Sequence, residues 1–382
     1  MVGTNMSTAQ IILLSLLPAL AAVGAVWALV RRRRRRTAAR AVVKTLAPGH
    51  QRVAVVINPI KVQAPAARAL LEQACELAGW DPPLFLETTV DSPGFEQARW
   101  AVQSGADVVV AAGGDGTVRE VARALANNPA ALGLLPLGTG NLLARNLGLP
   151  VLDLPAAVST ALHGQERRID MGTMTQENSV TGEISSSAFL VMGGIGLDAE
   201  VLAATRDDLK ERVGWMAYSE AGVRLLPGRR TKMSISLDGE PAQVRKVRSI
   251  LFANIGRLPA GIDFIPEARM DDGLLDVVVM SPRSLAGWLW LAGKVVTRYP
   301  KDLPVIDHRR AKTVEISVSQ PTRTQLDGDV TGAATTVRVE VNPLALLIRS
   351  PAPSRPRPRP FGGRNQAVPD RNGAVPGRQF QE

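Results

Sequence analysis

Gly113-Gly114-Asp115-Gly116-Thr117 follows directly on an apolar run, residues 107–112 (DVVVAA), and precedes a helical pattern over residues 118–126. Glycine has no Cβ to hold a ligand off and tolerates positive φ, so successive backbone N–H groups in such a turn can converge on an anion. The following helix N-terminus adds favourable partial charge. The chemistry this spacing suggests is the gripping of a phosphate. The alternative is a tight strand-to-helix turn that binds nothing. A second glycine-rich turn, Gly138-Thr139-Gly140-Asn141, follows the apolar run 132–136. The sequence contains no Gly-x-x-x-x-Gly-Lys-Ser/Thr loop, so it is not a P-loop protein. Gly194-Ile195-Gly196-Leu197-Asp198-Ala199 nominally fits a dinucleotide fingerprint, but it lies outside any strand-helix alternation and reads as a turn between strands.

Three acidic turns also draw notice: Asp238-Gly239-Glu240, Asp271-Asp272-Gly273 and Leu326-Asp327-Gly328-Asp329. Asp-Gly is a common hairpin signal, and the first of these is read as a hairpin. A single cysteine, Cys75, leaves no internal disulfide framework, and His50, His163 and His308 offer no metal-ligand spacing, which argues against a zinc hydrolase.

The elements that must position these turns alternate in the first half. Strands are predicted at 52–58, 84–89, 107–112 and 132–136, and helices at 65–78, 94–104 and 118–126. That alternation implies a parallel sheet with helices on both faces, and in such sheets ligands sit at the carboxyl ends of the strands, where both glycine turns fall. Past Ile169 the texture changes to short apolar or alternating runs at 188–192, 233–237, 247–253, 275–280 and 313–318, which read as an antiparallel sheet domain. The runs 337–341 and 344–348 are candidates to pack back onto the first domain. The expected organisation is therefore an anchor and basic linker over 1–50, an α/β nucleotide-binding domain over 51–168, a C-terminal antiparallel β-sandwich over 169–335, a returning segment at 336–350 and a disordered Pro/Arg-rich tail over 351–382.

The formal charge of +10 resides at the ends of the chain. Residues 31–44 contribute +8 and the tail from Pro351 contributes +4, which leaves −2 on residues 45–349. A nucleic-acid enzyme needs a basic stripe on its folded domain, so no nucleic-acid partner is expected. Residues 9–30 are uncharged and long enough, at about 1.5 Å per residue, to cross a bilayer of about 30 Å. Six arginines follow directly, Arg31 to Arg36, which predicts an uncleaved N-terminal transmembrane helix with everything after it cytoplasmic. The expected localisation is thus the cell membrane, single-pass. Residues 284–296, with Trp288 and Trp290, read as an apolar helix packed in a core, contact with a bilayer or acyl chain being the alternative.

Taken together, Asn58-Pro59, Gly113 to Thr117, Gly138 to Asn141, Gly196 to Ala199, Asp271-Asp272-Gly273 and Leu326 to Asp329 give the sequence a family likeness. Across residues 52–348 it resembles the diacylglycerol kinase catalytic-domain family, the lipid kinases that include sphingosine and ceramide kinases. The resemblance implies ATP in a cleft between the α/β domain and the β-sandwich. By position it implies a nucleotide-binding set of Asn58, Pro59, Ile60, Lys61 and Val62, then Thr88, then Gly113, Gly114, Asp115, Gly116, Thr117, Val118 and Arg119, and finally Thr139. Lys61 stands where relatives carry small or hydroxyl residues, and Arg119 where many carry Asn; each is a phosphate contact or a solvated side chain. The resemblance makes Asp329 the catalytic base where the family uses Glu. It also implies a structural Mg²⁺ held by Asp272 with the carbonyls of Arg269 and Leu274, and a catalytic Mg²⁺ carried mainly by ATP, with Asp115 assisting through water.

The expected function is ATP-dependent phosphorylation of a lipid hydroxyl, with diacylglycerol giving phosphatidate. The alternatives are a sphingoid or ceramide-type lipid kinase, an NAD kinase-like enzyme, and an inactive membrane-tethered nucleotide- or lipid-binding protein. The partners expected are a lipid substrate and the membrane, and a homodimer is left open.

Overall fold

A computed structural model describes residues 50–178, 181–196, 230–258, 262–265, 267–282 and 306–352. The first half is built from β1 (Val53–Ile57), α1 (Ala64–Ala78), β2 (Leu84–Glu87), α2 (Phe95–Gln103), β3 (Val108–Gly113), α3 (Asp115–Leu125), β4 (Ala131–Pro136), α4 (Leu142–Asn146) and α5 (Leu154–His163). Strands β1, β3 and β4 are buried along their whole length, as parallel strands covered on both faces must be. Their side chains alternate between two cores. Ala54, Val56, Val109 and Ala111 pack with Ala98, Ala101, Val121 and Leu125 of α2 and α3. Val55, Ile57, Val108 and Val110 pack with Ala67, Leu71, Cys75 and Leu162 of α1 and α5.

Local chemistry explains where these helices stop and start. Pro65 stands at the beginning of α1, and Gly79, at φ +70°, ends it by donating to the Glu76 carbonyl at 3.0 Å. Asp153 caps α5 by accepting from the Ala156 N–H at 3.3 Å. Helix α3 begins at Asp115, three residues before the helical pattern expected from sequence, so the second half of the glycine turn is already its first turn.

The second half comprises β5 (Gln165–Asn178), β6 (Ile184–Phe189), β7 (Met192–Gly196), β8 (Thr231–Leu237), β9 (Gln243–Val247), β10 (Ser249–Ala253), β11 (Arg257–Leu258), β12 (Ile262–Asp263), β13 (Leu275–Met280), β14 (Ile306–Ala311), β15 (Thr313–Leu326) and β16 (Asp329–Ser350). Except for the small β11–β12 pair, all these strands join those of the first half in one mixed sheet, ordered β14-β13-β10-β7-β15-β16-β4-β3-β1-β2, with β5, β6, β8 and β9 attached to its side. The antiparallel part folds as a β-sandwich around Phe189, Phe252, Met174, Val277, Val314 and Val337.

Strand β16 ties the halves together. It pairs antiparallel with β15 and β5, and at Ile348 it meets Leu132 of β4 in parallel register. Asp238 and Gly239, both at positive φ, form the hairpin turn between β8 and β9. Residues 194–196 of the nominal dinucleotide fingerprint are part of β7, and residues 197–199 lie outside the described residues.

The expected membrane-spanning helix, and the single-pass placement built on it, must be corrected. Among the described residues no helix is long and apolar enough to cross a membrane. The longest of them, α1, has 15 residues, about 22 Å at 1.5 Å per residue, and carries Arg68, Glu72 and Glu76. Residues 9–30 and the arginines after them lie outside the described residues, as do 284–296 and the tail beyond residue 352.

A buried carboxylate closes the junction of the two halves. Asp170 of β5, fully buried, accepts from the Gly273 and Leu344 N–H groups, each at 2.7 Å. Asp170→Ala strands both donors and is expected to lower stability by about 2–4 kcal/mol, measured by urea denaturation. A loss under about 0.5 kcal/mol would show that the two N–H groups find other partners.

Candidate active site

The carboxyl ends of the parallel strands share one edge of the sheet. After β1, the Asn58 N–H donates to the Ala112 carbonyl at 2.9 Å, while the Asn58 side-chain oxygen accepts from the Ile60 N–H at 3.2 Å. This turn sends Ile60 and Val62 into solvent, 82% and 97% exposed, with Pro59 exposed and Lys61 half-buried beside them. After β2, the buried Thr88 is fixed to β1 through its N–H and the Ile57 carbonyl at 2.9 Å.

The two glycine turns touch through their backbones. A Cβ on Gly138 would lie 2.6 Å from the Gly114 Cα, and the Leu137 N–H donates to the Gly113 carbonyl at 3.0 Å. A Cβ on Gly113 would sit 2.6 Å from that of Thr117, so only glycine lets the first turn of α3 fold back onto β3. Val118 continues that turn, its N–H bonded to the Gly114 carbonyl, and Val118 and Thr117 are both buried. Asn141, at φ +49°, braces the second turn by accepting from the Gly138 N–H at 3.1 Å and donating to the Gly138 carbonyl at 2.7 Å. Thr139 remains exposed between them. Asp115 joins the turns directly, its carboxylate accepting from the Leu142 N–H at 2.6 Å.

The β15–β16 hairpin reaches the same place from the far end of the chain. Asp327 at φ +48° and Gly328 at φ +93° make a two-residue turn closed by the Leu326–Asp329 pair. The Asp327 carboxylate, 5% exposed, accepts from the N–H groups of Leu190, Val191 and Met192 at 2.9, 2.8 and 3.0 Å. Burial raises its pKa, and the three donors and the charge of Arg119 pull the other way. Thus anchored, the hairpin holds Asp329 over α3: its Oδ2 is 3.7 Å from where a Cβ on Gly116 would stand. The Asp329 side chain is 56% exposed and pairs with the Arg119 guanidinium at 3.0 Å. Arg119 also donates to the Leu326 carbonyl at 2.9 Å.

Burial pushes the Asp115 pKa up to about 6, with the nearby charges of Asp327 and Asp329 adding to the rise and the Leu142 N–H opposing it. Three carboxylates, a guanidinium, two glycine turns and a helix N-terminus therefore meet at one edge. Such an arrangement can hold an anion on N–H groups and move a proton at a carboxylate beside it.

Residues 52–174 match the model described as the diacylglycerol kinase catalytic domain, and residues 192–349 match the YegS C-terminal NAD kinase beta sandwich-like domain. A Pseudomonas fluorescens protein named probable lipid kinase YegS-like is 33% identical over 75% of this chain and 91% of its own length. The chain belongs to the diacylglycerol kinase catalytic-domain family. It is a lipid kinase. The diacylglycerol kinase of Bacillus subtilis is 28% identical to it over 74% of this chain and 91% of the relative. A crystal structure of a diacylglycerol kinase from Bacillus anthracis has the same fold, with a TM-score of 0.57 at 19% identity over 79% of this chain and 98% of that one.

The structure thus brings Asp329, Arg119, Asp115, Gly113 to Val118 and Thr139 of the lipid kinase together, with Asn58 to Val62 and Thr88 along the same edge. It gives Arg119 a carboxylate partner where a phosphate contact or solvent was expected. The residues expected for a structural Mg²⁺ lie in the 269–274 turn. The Asp272 carboxylate pairs with the Arg310 guanidinium and accepts from the Leu274 N–H at 3.2 Å, while Arg269 is exposed, 3.9 Å from Asp271. In this arrangement both carboxylates of the turn, Asp271 and Asp272, stand against arginine guanidinium groups. Two residues that shape the site were not foreseen. Asp327 looks in sequence like an ordinary hairpin residue. The buried Asn254 steadies the 190–192 segment by donating to the Leu190 carbonyl at 3.0 Å, and nothing in its apolar run signals that task.

The raised pKa of Asp115 yields a stability prediction. Its proton is held to about pH 6 in the folded protein and to about 3.8 in the unfolded chain, so ionisation opposes folding above pH 6 and this penalty fades as the pH falls toward 4. Asp115→Asn keeps an oxygen for the Leu142 N–H. In thermal melts without ligand, the variant is expected to exceed wild type at pH 8, by on the order of 1–2 kcal/mol after solvent screening, and to converge with it near pH 4.

Proposed function

We propose that this chain transfers the γ-phosphoryl group of ATP to a lipid hydroxyl, with diacylglycerol as acceptor and phosphatidate as product. The observation that carries this reading is the half-exposed Asp329 carboxylate held beside Gly116, at the mouth of a glycine turn and helix N-terminus suited to an anion. The names of the curated relatives support the choice of diacylglycerol.

Phosphoryl transfer asks the protein mainly for positioning and electrostatic stabilisation. The turn of residues 113–118, through those N–H groups not already paired within it, and Thr139 would receive the triphosphate, with Asn58 to Val62 and Thr88 along the rest of the nucleotide. A Mg²⁺ ion carried with ATP would supply charge neutralisation. Asp115, ionised above about pH 6, would help hold that ion through water. Asp329 accepts the proton of the lipid hydroxyl as its oxygen bonds to the γ-phosphorus. The bond from that phosphorus to the β–γ bridging oxygen breaks, and ADP departs with the electron pair. Asp is one methylene shorter than Glu, so the reach of Asp329 depends on its hairpin, which three N–H groups fix through Asp327.

Purified protein with Mg²⁺, labelled ATP and mixed micelles of diacylglycerol is expected to form phosphatidate. Asp329→Asn should lower kcat by about 10²- to 10⁴-fold while ATP still binds. A panel with sphingoid bases, ceramide and NAD replacing diacylglycerol tests the acceptor. Phosphorylation of NAD alone would sink the lipid assignment, and activity in Asp329→Glu but not in wild type would mark the natural protein as inactive.

A further inference from the structure

The Arg119–Asp329 pair presents a contradiction within the site. Asp329 Oδ2 accepts from the guanidinium at 3.0 Å, so in this arrangement the carboxylate is drawn toward Arg119 and one of its acceptor sites is already filled. Arg119 rises from α3 with its side chain 13% exposed, and its other nitrogen is fastened to the Leu326 carbonyl, 207 residues away in sequence. The place where a Cβ of Gly116 would stand is 3.7 Å from Asp329 Oδ2 and 4.0 Å from Arg119 Nη2, so the pair lies directly against the first turn of α3. A guanidinium there is within reach of any anion received by that turn. Its planar fork binds phosphate oxygens bidentately, and phosphate is the stronger competitor when it brings more than one negative charge.

We propose that Arg119 is a nucleotide-responsive positioning residue, exchanging the Asp329 carboxylate for the terminal phosphate of the bound nucleotide and thereby freeing Asp329 to act as base. This rests on the proposed function. Before nucleotide binds, the pair keeps the carboxylate engaged and the hairpin parked on α3. Once a triphosphate occupies the glycine turn, the guanidinium moves to its negative charge and Asp329, with most of its surface open, turns to the acceptor. The exchange is a population shift, so the energy holding Arg119 to Asp329 is subtracted from nucleotide affinity. Removing the carboxylate must therefore improve binding of a triphosphate.

The test is calorimetric titration of the full-length protein, without lipid, with the Mg²⁺ complex of a non-hydrolysable ATP analogue and with ADP. The Asp329→Ala variant is expected to bind the triphosphate analogue about three- to tenfold more tightly than wild type, with little change for ADP. The same substitution in an Arg119→Met background should have no effect, because nothing remains to be exchanged. Equal triphosphate affinity in wild type and Asp329→Ala would overturn the proposal. So would a gain that persists in the Arg119→Met background, since that is plain repulsion between carboxylate and phosphate. If no nucleotide binds to any variant, the kinase reading falls as well; if nucleotide binds without coupling, only the exchange falls. Thermal melts of each variant verify folding, and Arg119→Lys, which keeps the charge on a shorter point donor, is expected to restore part of the coupling.

Discussion

The Asp327 carboxylate is the contact on which the rest of the site depends. It is buried, and it is matched to three consecutive N–H groups of residues 190–192. A buried carboxylate is costly unless its acceptor sites are filled, and filled sites give it one position and one orientation. Because Asp327 is the first residue of a two-residue turn, fixing it fixes Asp329 two residues on. The hairpin is thereby pinned to β7 of the sandwich while its tip faces α3 of the nucleotide half. A side chain at the tip of an unanchored hairpin would otherwise sample many positions.

Long-range pairing gives that local contact its meaning. Strand β16, 22 residues long, begins at Asp329 and ends beside the parallel sheet, so one strand carries Asp329 at its start and the join between halves at its end. Asp170 secures the same join from β5. The hairpin tip and the glycine turns are thus positioned by one continuous hydrogen-bonded framework, and a loop of lower stability is not left to bring them together.

Three carboxylates, Asp115, Asp327 and Asp329, lie close together at the meeting point. Burial of Asp115 and Asp327 favours their neutral forms, backbone donors favour the charged ones, and Arg119 offsets part of the mutual repulsion. In the 271–273 turn the Asp272–Arg310 pair likewise sets a guanidinium against a carboxylate.

The sequence by itself determined much of the nucleotide half. Strands β1, β3 and β4 were legible because a strand covered on both faces must be apolar throughout, and the glycine turns were legible because nothing with a Cβ fits where two backbones meet at Gly114 and Gly138. Asp329 could be picked out only through its order among the family motifs, since Asp-Gly turns recur, as Asp238-Gly239 shows. What the tertiary structure alone decided is which groups confront one another: Arg119 with Asp329, Asp327 with the 190–192 backbone, Arg310 with Asp272. Those pairings span tens to hundreds of residues. They follow from sheet order and strand register, which local periodicity does not encode, and a charged side chain gives no sign in sequence of the partner that will neutralise it.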